Sequence, residues 1–72
     1  MPKYASFKPR EVEKILLQAG FAVKRQTGSH RIYHNTRTKA TTVVPFHSKD
    51  IPPGTLRSII QQSQLAASDF QK

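Results

Sequence analysis

The sequence has no cysteine and only four acidic residues among 72. Without cysteine there is no disulfide staple and no thiolate zinc site, so apolar packing has to hold the fold, alone or with a partner. Four acids, with no HxxxH pair on a helix, leave no visible ligand set for a metal, so neither metal nor cofactor is expected. No run approaches the roughly 18 apolar residues of a membrane span, and no apolar block follows Met1 as in a signal peptide. Repeats, low-complexity tracts and linkers are also missing. The expectation is a cytoplasmic protein of one domain, residues 1–72, because the chain is too short for two. A domain of this size buries only about 60% of its unfolded surface, so its core must be thin.

Positive charge is abundant. Twelve Lys and Arg against four Asp and Glu give +8, and residues 1–40 hold nine of the bases and only two of the acids. Between positions 24 and 39 stand Lys24, Arg25, Arg31, Arg37 and Lys39 with no acid, and His30 and His34 lie among them. Such a block is the electrostatic footprint of a polyanion partner. A solvated face that only aids solubility is the plainer reading, and the charge density favours the polyanion. No basic amphipathic helix with an exposed apolar face appears, so a membrane surface is not the expected partner.

Hydrophobic periodicity orders the chain. Val12, Ile15, Leu16 and Ala19 recur at helical spacing, which predicts a helix over 8–19 with Pro9 in its first turn, Glu11 and Glu13 near its positive end, and Gly20 as its stop. Phe21 can then fold back on Leu16 in a Schellman ending. From Phe21 the period falls to two. Strands are expected at 21–26, 30–34 and 41–44, joined by Thr27-Gly28-Ser29 and by a polar turn over 35–40, with Pro45 ending the third. Short connections make them an antiparallel meander. Alternation puts His30, Ile32 and His34 on one face and Arg31 and Tyr33 on the other, and leaves open which face meets the helices. Leu56, Ile59 and Ile60 mark a second helix reaching about Gln64, and Leu65 to Phe70 a short helical tail anchored by Leu65 and Phe70. The fold class is α+β, with the helices on one face of a three-stranded antiparallel sheet.

Four segments then carry a resemblance. Leu16 to Phe21 (LLQAGF), Gly28-Ser29-His30 followed by Ile32-Tyr33, Val44-Pro45-Phe46-His47, and Pro53 to Ile60 (PGTLRSII) follow one another with short gaps. Together they resemble the HicA (YcfA-like) toxin family over about residues 6 to 70. The resemblance implies an α-β-β-β-α fold like that of double-stranded-RNA-binding domains. It further implies a toxin of a type II toxin–antitoxin system that cleaves messenger RNA and is neutralised by a HicB-type antitoxin. Its single catalytic histidine matches His30. Gln64 stands where many members carry glycine, which favours a second helix that runs on. Ala66 stands where the tail turn often has a capping hydroxyl.

The chemistry of His30 agrees with that role. Metal-independent RNA cleavage needs a base for the ribose 2′-hydroxyl and an acid for the departing oxygen, and an imidazole, unperturbed near pKa 6.5, serves as either. His30 opens a strand directly after Gly28-Ser29, where a glycine lets backbone come close to a phosphate. A lone histidine is more often an ordinary surface or core residue, so on residue chemistry alone the assignment is the minority reading. His47 has two readings of equal weight, as a substrate-binding or second acid–base group, or as a loop residue bonding backbone. The RNA-contacting set is expected to be Lys24, Arg25, Gly28, Ser29, Arg31, Arg37, Lys39, His47 and Lys49, with Tyr33 held open as a platform for a stacked base. A net charge of +8 implies an antitoxin with an acidic covering surface. The alternative is a non-catalytic RNA-binding module in which His30 only touches backbone, and a third reading is a purely protein-binding domain. Against a plain double-stranded-RNA binder, Arg57 is the only base between Ile51 and Leu65.

Overall fold

The computed structural model describes residues 6–46 and 49–71. The elements run α1 (Pro9–Gln18), β1 (Ala22–Thr27), β2 (His30–His34), β3 (Thr41–Pro45), α2 (Pro53–Ser63) and one 3-10 turn, Ala67–Asp69. The strands form a single antiparallel sheet in the order β1-β2-β3, so the α+β meander read from the sequence is the architecture found.

Helix α1 starts at Pro9, where a missing N–H costs nothing. Lys8 before it has no accepting side chain, and the cap comes from within the helix: Glu11 Oε1 accepts the Lys8 N–H at 2.8 Å. Val12 and Leu16 are fully buried, while Ile15 and Ala19 pack at the core margin. The helix ends in the expected Schellman pair. Phe21 N–H donates to Leu16 O at 2.9 Å and Gly20 N–H to Leu17 O at 3.1 Å, with Gly20 at φ +101°. Phe21 therefore drops into the core instead of opening the strand, and β1 begins one residue later.

Register settles the question of faces. Tyr33 pairs with Thr42 and Arg31 with Val44, while His30–Pro45, Ile32–Val43 and His34–Thr41 lie on the other side. Tyr33, Thr42 and Val44 are buried, so the Arg31–Tyr33 face meets the helices and the His30 face is open. Both helices pack chiefly on β3. Strand β1 is exposed at every position, so neither of its faces is buried. A bulge between Val23 and Arg25 adds to its irregularity. Pro45 closes β3 on a sheet edge, where no N–H is required of it.

Helix α2 buries Leu56, Ile59 and Ile60 as the apolar spacing predicts. It does not run on past Gln64, which takes the left-handed conformation itself at φ +62°. The cause is beside it. The buried Ser63 hydroxyl donates to Ile60 O at 2.8 Å and accepts the Leu65 N–H at 3.3 Å, turning the chain. Leu65 and Phe70 then return to the core, and Phe70 stands edge-on to Phe7 with centroids 6.3 Å apart. Ala66 has no hydroxyl to accept an N–H of the turn, and the reciprocal bond is made instead, with Asp69 Oδ2 accepting the Ala66 N–H at 3.0 Å.

Candidate functional site

His30 is the first residue of β2 and lies exposed on the open face, between Thr27 of β1 and Pro45 of β3. The hairpin before it has Gly28 at φ +57°, as the first central position of a two-residue turn of the II′ kind requires. A Cβ built on Gly28 meets nothing within 4 Å, so the backbone there is open to approach. Ser29 O accepts the Phe46 N–H, which ties the hairpin to the chain leaving β3.

Apart from Arg31, the cations expected to contact RNA lie in three places. Lys24 and Arg25 are exposed on β1, and Arg25 pairs with Ile32, on the face that carries His30. Arg37 and Lys39 are exposed in the β2–β3 turn, at the opposite end of β2 from His30, roughly 13 Å away along a strand rising about 3.3 Å per residue. That turn is built by Asn35, a buried side chain the sequence reading passed over. Its Oδ1 accepts from the N–H groups of Arg37 (2.9 Å) and Thr38 (3.2 Å), and its Nδ2 donates to Ala19 O at the end of α1 (3.2 Å). Lys49 is exposed beyond β3. His47 lies outside the described residues, as does Ser48.

Arg31 is held elsewhere. It points to the helix side, where Nη1 donates to Glu13 Oε2 at 2.8 Å, and the same oxygen accepts the Tyr33 hydroxyl at 2.5 Å. The guanidinium also lies 4.1 Å from the centroid of the Phe46 ring. The hydrogen bond to Glu13, and then that to Tyr33, hold the Arg31 pKa above its already high ordinary value. Tyr33 is raised well above the usual tyrosine range, first by burial and then by its bond to Glu13. Tyr33 is thus no stacking platform, being fully buried. The charge of Arg31 is matched inside the protein instead of standing in the field of the open face. Glu13, expected only to complement the helix dipole, is the centre of this cluster.

On the β3 side of His30 a groove of about 320 Å³ opens between the sheet and α2. Val43, Pro45 and Ile59 give it apolar walls, and Thr55, Ser58 and Gln62 its polar rim. The Thr42 hydroxyl, buried in β3, donates to Gln62 Oε1 at 3.0 Å. Among the described residues, His30 is the only ionisable side chain that lines the groove. Among the described residues no three potential metal ligands are gathered, and no helix is long and apolar enough to cross a membrane.

The open face therefore presents an imidazole with Arg25 on one side, Lys24 exposed at the neighbouring bulge, and a groove of apolar walls and polar rim on the other, while the Arg–Glu–Tyr cluster lies beneath. No curated protein matches the chain. The model of one family, described as the HicA toxin of bacterial toxin–antitoxin systems, matches residues 9–65, which take in every helix and strand described above. With more than three-quarters of its length inside that match, the chain belongs to the HicA toxin family, whose members are toxins paired with a cognate antitoxin.

Proposed function

We propose that this toxin is a metal-independent endoribonuclease that cleaves messenger RNA in the cytoplasm with His30 as its acid–base residue, and that a HicB-type antitoxin with an acidic surface silences it. The observation that carries the reading is the position of His30, exposed on the open face between the cations of β1 and the groove beside α2. Lys24 and Arg25 gather phosphates without choosing sequence. The imidazole takes the proton of a ribose 2′-hydroxyl, the 2′-oxygen forms a bond to the adjacent phosphorus, and the bond from phosphorus to O5′ breaks. The leaving oxygen receives a proton from imidazolium or water, so the products are a 2′,3′-cyclic phosphate and a 5′-hydroxyl end. Gly28 and Ser29, beside the imidazole, offer backbone to the reacting phosphate. An acidic antitoxin surface suits the same cationic face and associates fastest at low salt.

The test is His30→Ala. Loss of a general acid or base typically lowers the rate by about 10² to 10⁴. The position is exposed, so the variant should stay folded by circular dichroism and still bind RNA and antitoxin while failing to cleave. EDTA should leave wild-type cleavage intact. Cleavage by the variant at the wild-type rate overturns the assignment, and a wild-type protein that binds RNA without cutting it returns the function to a plain binding module.

A further inference from the structure

We propose that the groove between β3 and α2 seats a single nucleobase of the RNA strand, and that Gln62 reads it, favouring guanine and uracil, which carry a carbonyl at C6 or C4, over adenine and cytosine, which carry an amino group there. The inference rests on the ribonuclease reading and names the part of the substrate that its active site would select.

Three observations converge on a base. The walls, Val43, Pro45 and Ile59, are apolar, while the rim of Thr55, Ser58 and Gln62 is polar and uncharged. A nucleobase has that character, with flat apolar faces and a hydrogen-bonding edge, whereas a phosphate would need more positive charge than the single imidazole of His30 that lines the groove. At about 320 Å³ the space is at the small end of ligand pockets, roughly 300–1,000 Å³, enough for one nucleotide. The groove also borders His30 on the β3 side, while Arg25 shares the open face on the β1 side. A strand laid across the sheet thus puts one base in the groove, its ribose and phosphate at the imidazole, and the following phosphates toward Lys24 and Arg25.

The preference follows from how Gln62 is held. The Thr42 hydroxyl is buried and donates a hydrogen bond to Gln62 Oε1 at 3.0 Å, which orients the amide and takes up one of the two lone pairs of its carbonyl. The Nε2 hydrogens are the groups the amide then offers to a ligand. At C6 or C4 they meet a carbonyl acceptor in guanine (O6) and uracil (O4) and an amino donor in adenine and cytosine, whose remaining acceptors lie elsewhere on the ring. Thr55 and Ser58 hydroxyls both donate and accept, so they suit any base and leave the choice to Gln62.

The experiment maps cut sites on a random-sequence RNA pool by sequencing the product ends. Wild type should enrich guanine and uracil by about five- to tenfold at one fixed position beside the cut, at the low end of what a base-edge contact supplies. Gln62→Ala should flatten that position, and Gln62→Glu, which turns a donor into an acceptor, should shift it toward adenine and cytosine. Thr42→Val should weaken the preference by releasing the amide. Gln62 is exposed, so its variants should keep the wild-type circular dichroism spectrum. Cutting with no base preference, or with one that survives Gln62→Ala unchanged, refutes the inference while leaving the ribonuclease intact. If wild type does not cut at all, the ribonuclease reading has failed. Binding of His30→Ala to short oligouridine and oligoadenosine then decides the groove alone. Severalfold tighter binding of oligouridine, abolished by Gln62→Ala, supports it, and equal binding refutes it.

Discussion

Tyr33→Phe removes one oxygen atom from the buried face of the sheet and leaves the Glu13–Arg31 pair in place. The lost bond, 2.5 Å from the hydroxyl to Glu13 Oε2, is one to a charged acceptor, a class worth about 1.5–3 kcal/mol. Glu13 keeps its partner in Arg31, so no carboxylate is stranded and a value near 2 kcal/mol is expected at neutral pH. For a domain of this size that corresponds to a fall in Tm of roughly 8–16 °C, at about 4–8 °C per kcal/mol. Alkali supplies a second signature. Burial and the bond to Glu13 raise the Tyr33 pKa in the folded protein, while in the unfolded chain it stays near the ordinary value of about 10. The folded state then holds a proton that the unfolded state has lost, so stability contributed by Tyr33 is complete below pH 10 and drains as pH rises above it. The slope is about 1.4 kcal/mol per pH unit for one proton. Lysines titrate in both proteins and cancel in the difference. The wild-type advantage over the variant should shrink from near 2 kcal/mol at pH 9 to nothing at about pH 11.5, in urea unfolding read by circular dichroism. A wild-type advantage that is absent at pH 7, or that stays constant from pH 9 to 11.5, would mean that the Tyr33–Glu13 bond does not stabilise the fold as argued.

Two further outcomes can be measured with the same protein. Binding of single-stranded RNA by the cleavage-dead His30→Ala variant should weaken with salt along a log–log slope of about −2 to −3, for three or four phosphate contacts among Lys24, Arg25, Arg37, Lys39 and Lys49. Lys24→Gln should reduce that slope by about 0.7, whereas Arg31→Gln should not change it, and a slope near zero removes the polyanion argument. Gln64→Gly should raise stability by up to about 1 kcal/mol, since Gln64 carries a left-handed φ of +62° that glycine adopts without strain, and a loss of stability in thermal melts would contradict that account.

Most of the fold is legible in residues that act locally. The apolar stripe from Val12 to Ala19, the glycine at 20 and the strand alternation around Tyr33 each depend on neighbours within a few positions, and each leads to the element found. What local pattern does not reveal is coverage. The spacing of Phe21 and Val23 suggests a half-buried strand, yet β1 is exposed throughout because the helices pack chiefly on β3. Helix α2 stops at Gln64 without a glycine because the Ser63 hydroxyl bonds Ile60 O and the Leu65 N–H, a cap between near neighbours that apolar spacing does not mark. Asn35 passes for an ordinary turn residue until its amide is seen bridging the turn to the end of α1.

The site shows the same division, and Arg31 shows it best. Counting charge along the chain puts Arg31 in the basic block, next to the histidine it follows. Strand alternation also puts it on the face opposite His30, with Tyr33. Once that face is known to meet the helices, a guanidinium and a phenol beneath α1 need an acceptor, and the first forty residues contain only Glu11 and Glu13. Glu11 is bound to the cap of α1, which leaves Glu13. The signal was therefore present, but it could be read only after the sheet had a covered side. The groove beside His30 needed still more, because Thr42 and Gln62 stand twenty positions apart and neither lies in a motif. Charge along a sequence reports how many cations a chain can turn toward RNA. Which of them remain available, and what uncharged surface lies next to them, is decided by packing between segments distant in the chain.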